Sequence, residues 1–185
     1  MLQLQRIHLI KHCVISELYF NEVVMRKTDY NKMYDKIFKI IGDLTPLRID
    51  CGQLCDGACC KGDDETGMLL FPHEESTLEI KETLAGERLA ICDGTCDRSK
   101  RPLSCRIFPF FPTIDDKGKV YVELDYRGRF ICPMIEHFDK VNFNPDFLKA
   151  VKKVGKILAK DKECRDFLHL RTGEIDFYHD VIIKD

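Results

Sequence analysis

The chain has 185 residues, of which 44% are apolar and 32% charged, and its formal net charge is −2. That length holds one core, or one core with a metal-pinned lobe, and we expect a single domain over 1–185. The charge balance offers no global field for nucleic acid, and no apolar run is long enough to cross a bilayer.

The first residues, Met1-Leu2-Gln3-Leu4-Gln5-Arg6-Ile7-His8, show no basic start followed by a long apolar block. No secretory signal is therefore expected, and the default location is cytoplasmic. Residues 1–27 fit neither helix nor strand periodicity. From Asp29 to Leu44 the pattern is helical, with Tyr30, Met33, Tyr34, Ile37, Phe38, Ile41 and Leu44 on one face. Thr28 or Asp29 can cap its start, and Pro46 is expected to close it.

Residues 46–71 carry Gly52, Gly57, Gly62 and Gly67 among four cysteines and read as loop. Pro72, followed by Glu74 and Glu75, suggests a helix start, and that helix would run to Gly86. Residues 90–112 are again rich in cysteine and proline. Ile114 to Val120 reads as a turn leading into a strand in which Val120, Val122 and Leu124 alternate with polar neighbours. Asn144-Pro145 is a cap followed by a first-position proline, opening a helix with a stripe of Phe147, Leu148, Val151, Val154, Ile157 and Leu158. A short helix over Asp161 to Leu170 and a terminal strand over Ile175 to Ile183 complete the reading. The fold class expected is α+β, mainly helical: a small helical frame, cysteine-rich metal-binding loops and a short β-hairpin.

Ten cysteines are the outstanding feature. Cys13 and Cys164 stand alone in segments of helical character and read as small buried apolar residues. The other eight are Cys51, Cys55, Cys59, Cys60, Cys92, Cys96, Cys105 and Cys132. In a reducing compartment such clusters bind metal more often than they form disulfides. Thiolates converge on one cation only where the backbone turns tightly, which Gly52 and Gly57 permit. The bound cation then removes their mutual repulsion. All eight are candidate ligands, as two four-cysteine sites or as one with spares, and either zinc or an iron–sulfur cluster suits such a split set. His73, His137 and Asp93 lie near these loops but read as solvated side chains. Arg98, Lys100, Arg101 and Arg106 flank the second cluster, where positive charge stabilises thiolates or an anionic cluster, or binds an anionic partner.

Two stretches carry a resemblance. Cys55-Asp56-Gly57-Ala58-Cys59-Cys60, followed by Arg101-Pro102-Leu103-Ser104-Cys105-Arg106-Ile107-Phe108-Pro109-Phe110, resembles the YkgJ-like family of zinc- or iron-chelating cysteine-cluster proteins. That family is distantly similar to the flagellin lysine N-methylases. The resemblance covers about residues 51–133. It implies metal ligation and points most directly to Cys55, Cys59, Cys60, Cys105 and Cys132. On physical grounds Pro102 and Pro109 restrict the backbone around Cys105. Phe108, Phe110 and Phe111 should bury against helices and anchor the ligand loop.

The expected function is a metal-binding protein with a structural or metal-carrying role, its partner being the metal ion or cluster. The alternative is a metal- or cluster-dependent enzyme, for methyl transfer or redox chemistry. No Gly-x-Gly-x-x-Gly follows a strand, and the first cluster is Cys-x3-Cys-x3-Cys, not the Cys-x3-Cys-x2-Cys of a radical S-adenosylmethionine loop. A redox role and a weaker nucleic-acid role complete the set. Net acidity and the absence of Trp speak against nucleic acid. The sequence names no protein partner and no catalytic residue.

Overall fold

A computed structural model describes residues 27, 29–62, 66–94 and 97–183. The chain divides into two compact units, Met1–Lys36 and Ile37–Asp185. The described part of the first unit is helical. Thr28 and the segment before Lys27, with Cys13, lie outside the described residues, as does Cys96.

Helix α1 spans 29–41. It ends three residues earlier than the periodicity suggested, because Gly42 takes a left-handed conformation (φ +45°) and returns its N–H to the Phe38 carbonyl at 2.9 Å. The cap, rather than Pro46, is the terminator. Among its described residues, the stretch expected as loop holds two short helical turns, α2 (Gly52–Cys55) and a 3-10 turn at Ala58–Cys60, and the two-residue strand β1 (Met68–Leu69).

The helix expected from Pro72 to Gly86 does not form. The segment is a turn followed by strand β2 (Glu79–Glu82), which pairs antiparallel with β3 (Arg88–Ile91). Leu78 and Ile80 alternate with Glu79 and Lys81, a two-residue period that the acidic first turn had masked. Gly86, at φ +77°, supplies the hairpin bend that a side chain would strain. β1 pairs with the other edge of β3, giving an antiparallel sheet in the order β1-β3-β2.

Helix α3 (Leu103–Ile107) leads into β4 (Phe110–Phe111), which pairs with β5 (Glu123–Leu124) in the expected hairpin. Its turn is held by the Asp115 carboxylate, which accepts the N–H groups of Lys117 and Lys119 at 3.0 and 2.8 Å. Helix α4 (Pro133–Glu136) follows, then α5 (Pro145–Leu158), capped as expected by the Asn144 side chain on the Asp146 N–H at 3.1 Å. The last helix, α6 (Lys162–Ile183), continues through the tail expected as a strand. Cys164, Leu168, Arg171 and Ile175 are all buried at spacings of four, three and four, so packing on one helix face overrides the β-branched composition.

The fold is thus α+β and mainly helical. Its core is organised by adjacent residues of β4, whose side chains point to opposite faces. Phe110 meets Phe143 and Phe147 at centroid distances of 4.8 and 6.1 Å. Phe111 stacks on Phe71 at 5.6 Å and meets Phe167 at 6.5 Å. Phe110 and Phe111 therefore anchor on α5 on one side and on Phe71 and α6 on the other, while Phe108, also expected to bury, is half-buried. A partly buried ion network closes this second side: Arg127 binds Asp125 through two bonds of 2.7 Å, Arg127 and Arg171 share Glu174, and Arg171 reaches Glu87.

α5 approaches the hairpin most closely at Gly155. A Cβ there would stand 2.5 Å from Pro112 Cβ and 2.8 Å from Val120 Cγ1. Gly155→Ala gains about 1 kcal/mol of helix propensity but forces a rigid ring and a strand apart, at about 1–3 kcal/mol. The clash should win, and calorimetry should find a lower Tm. A rise in Tm would show that the helix can move away from the hairpin freely.

Candidate metal centre

The first cysteine cluster is built by a chain reversal. Cys51 precedes α2 and Cys55 ends it. Asp56 and Gly57 then take consecutive left-handed conformations (φ +50° and +60°), and the Gly57 N–H bonds the Gly52 carbonyl at 2.9 Å. The reversal brings Cys59 and Cys60 back toward Cys51 and Cys55. Gly57 is therefore the glycine the turn requires; Gly52 has ordinary dihedrals and space for a Cβ.

The second cluster is fastened to the first through backbone. Lys61 pairs with Asp93 in an antiparallel bridge, and the Gly62 N–H donates to the Cys92 carbonyl at 2.8 Å. Gly62 is needed there, since a Cβ would fall 2.8 Å from the Thr66 carbonyl oxygen. Cys105 is presented by α3, and Cys132 directly precedes α4.

These segments surround one cavity of about 530 Å³, lined by Cys51, Cys55, Cys59, Cys60, Cys92, Cys105 and Cys132. Seven of the eight cysteines singled out in the sequence are thus brought together, and the eighth, Cys96, is outside the described residues. Cys164 is fully buried on α6, away from the cavity, as expected of an apolar residue. Arg98, Arg101 and Arg106 share the cavity wall, as do Asp50, Asp56 and Asp93. His137 and His73 do not; His73 instead pairs with Glu163 at 2.8 Å.

The thiols sense one another. Burial pushes Cys51 up from its ordinary value, helped by Asp50 and by Cys132 and Cys55, while Arg98 opposes. Burial also raises Cys132, with Cys55 adding to the effect against the pull of the Met134 and Ile135 amides. Cys59 and Cys60 share a hydrogen bond. It raises Cys59 and lowers Cys60 to about 6, and the nearby Arg101 charge favours the Cys60 thiolate further. Five sulfurs, from Cys51, Cys55, Cys59, Cys60 and Cys132, therefore form an electrostatically coupled group.

None of the described cysteines forms a disulfide. Among the described residues no three His, Cys, Asp or Glu side chains are drawn together as a finished coordination sphere. The donors are gathered at the scale of a cavity. The chemistry of that donor set, sulfur-rich with guanidinium charge in the wall, fits a thiophilic ion or cluster.

Sequence reading missed Glu74. Instead of standing in a solvated first turn, it is fully buried, and its carboxylate oxygens accept the Leu103 N–H at 2.6 Å and the Phe71 N–H at 3.1 Å. It thereby fixes the start of α3 two residues before Cys105. The two-residue alternation just after it was the available signal. Comparison with known proteins returns no matching family model, no matching curated protein and no matching solved structure.

Burial raises Glu74 from 4.5 to about 7 against the pull of the two N–H groups and of Arg88 and Arg106. The folded chain thus holds this proton more tightly than the unfolded one, so stability should fall as pH rises from about 4.5 to about 7, by at most about 3 kcal/mol. Glu74→Gln should lose that slope. It should also be about 1–3 kcal/mol less stable at pH 5, because one backbone N–H then faces an amide NH₂. Urea unfolding of both proteins across this range checks the sign; parallel pH profiles would contradict it.

Proposed function

We propose that this protein binds a metal through its cysteine cavity, as zinc or as an iron–sulfur cluster, in a structural or metal-carrying role. The observation that carries the reading is the convergence of seven cysteines, from four separate stretches of chain, on one cavity. Buried free thiols have no need of a left-handed chain reversal or of a backbone bridge between their loops. Both features make sense where several sulfurs must share one cation.

Cys55, Cys59, Cys60, Cys105 and Cys132 are the ligands we assign first, with Cys51 and Cys92 completing the wall. A bound ion would compensate the repulsion among the coupled thiols and draw off their protons. Arg98 and Arg101 supply compensating positive charge to the thiolates. Phe108, Ile131 and Met134 line the same cavity and limit water at the sulfurs. We extend to this chain the YkgJ-like resemblance of residues 51–133 and a cytoplasmic location. No helix among the described residues is long and apolar enough to cross a membrane. A reducing compartment would keep the thiols available.

Cys105→Ser and Cys164→Ser separate ligation from packing. Both sulfurs belong to folded parts of the chain, but only Cys105 faces the cavity. Cys105→Ser should lose bound metal and lower the Tm, whereas Cys164→Ser should lower the Tm with metal content intact. Elemental analysis and calorimetry on the two purified variants decide the point. Full metal content in Cys105→Ser would remove that residue from the site.

A further inference from the structure

A second cleft, of about 270 Å³, lies beside the cysteine cavity and holds no cysteine. It is lined by Lys100, Arg101 and Arg106, by the hydroxyl residues Ser76, Thr77 and Ser99, by Phe38 and Pro102, and by one carboxylate residue, Glu75. Three cations against one acid is unusual in a chain of net charge −2.

The positive charge is held in place. Arg106 donates through Nε to the Arg101 carbonyl at 2.9 Å and through Nη2 to the Ser99 carbonyl, and its guanidinium stacks 4.7 Å from the Phe38 ring centroid. Its partners are neutral oxygens, so its charge is positioned without being paired. Among the described residues neither Arg106 nor Lys100 makes an ion pair. Burial and the neighbouring Arg98 and Arg101 disfavour the Arg106 charge, while Asp43 and the buried Glu74 favour it. Asp97 is spent on the Ser99 N–H at 2.9 Å. Lys100 follows directly, in the 3-10 turn Arg98–Lys100.

We propose that this cleft binds the phosphate group of a small molecule. A carboxylate brings a single negative charge to three cations and one acid, whereas a phosphate group brings about two. A phosphate presents three or more acceptors, and guanidinium forks match it well. The volume corresponds to about nine water molecules, enough for a phosphate group with a small ester substituent. Arg101 and Arg106 line both this cleft and the cysteine cavity, so an anion here would touch the wall of the metal centre from its outer side. Ser76, Thr77, Ser99 and Lys100 belong to this cleft and not to the cysteine cavity, so the site stands whichever metal the thiols take.

The test is a titration of the full-length, ¹⁵N-labelled protein with inorganic phosphate at low ionic strength, followed by amide chemical shifts. Saturable shifts centred on Ser76, Thr77, Ser99 and Lys100 are expected, with half-saturation at about 1 mM and weakening as salt rises to about 0.15 M. Lys100→Gln, an exposed change that leaves the core and the thiols intact, should weaken binding about tenfold. Thr77→Val should also weaken it. Absence of saturation, or an unchanged midpoint in both variants, would overturn the proposal. Acetate binding as tightly as phosphate would overturn the assignment of ligand class.

Discussion

One carboxylate without access to water determines how the cysteine helix is placed. Glu74 accepts the N–H groups of Phe71 and Leu103, and its own carbonyl takes a hydrogen bond from Arg88 at 2.8 Å. A buried acceptor of this kind is costly unless satisfied, so each of these bonds is enforced. Together they tie the turn before β2, the strand β3 and the first residue of α3 into one unit. From there the order spreads in both directions. Cys105 lies on α3, β4 follows it, and β3 ends beside Cys92. Cys92 and Cys105, which line the same cavity, thus owe their relative position to a buried carboxylate outside that cavity.

The frame on which this unit rests is aromatic. Phe110 and Phe111, successive residues of a two-residue strand, commit one side to α5 and the other to Phe71 and α6. Aromatic packing of this kind supplies large apolar burial with defined geometry. The ion network of Arg127, Arg171, Asp125, Glu174 and Glu87 adds direction to the α6 contact, since each guanidinium fork accepts few arrangements. The cysteine loops are irregular, and they derive their order from these flanking elements and from the Lys61–Asp93 bridge.

Much of this was legible in the chain. The cap at Asn144-Pro145, the turn at Asp115 to Gly118 and the burial of Phe110 and Phe111 follow from local chemistry, and local chemistry settles them. The gathering of Cys51, Cys55, Cys59, Cys60, Cys92, Cys105 and Cys132 was legible in part, because four of them fall within ten residues around a glycine turn. Two elements were not legible for the same reason. Glu74 and Glu75 after Pro72 imitate a helix start, and Ile175, Val181, Ile182 and Ile183 imitate a strand. In each case long-range packing reverses a local preference: Glu74 is claimed by Leu103, 29 residues away, and the tail prolongs a helix whose buried face runs from Cys164 to Ile175. The phosphate cleft combines Phe38, Ser76, Thr77 and the Ser99 to Arg106 segment, which only the tertiary fold assembles.

The central claim is that the thiol cavity is a metal centre. Its most direct test is the metal and acid-labile sulfide content of the protein purified without oxygen, together with its visible absorption spectrum. The account predicts stoichiometric metal: zinc in a colourless sample, or iron with matching sulfide in a brown one. A folded, fully reduced protein that carries no metal and takes up none when zinc or iron with sulfide is supplied would contradict it.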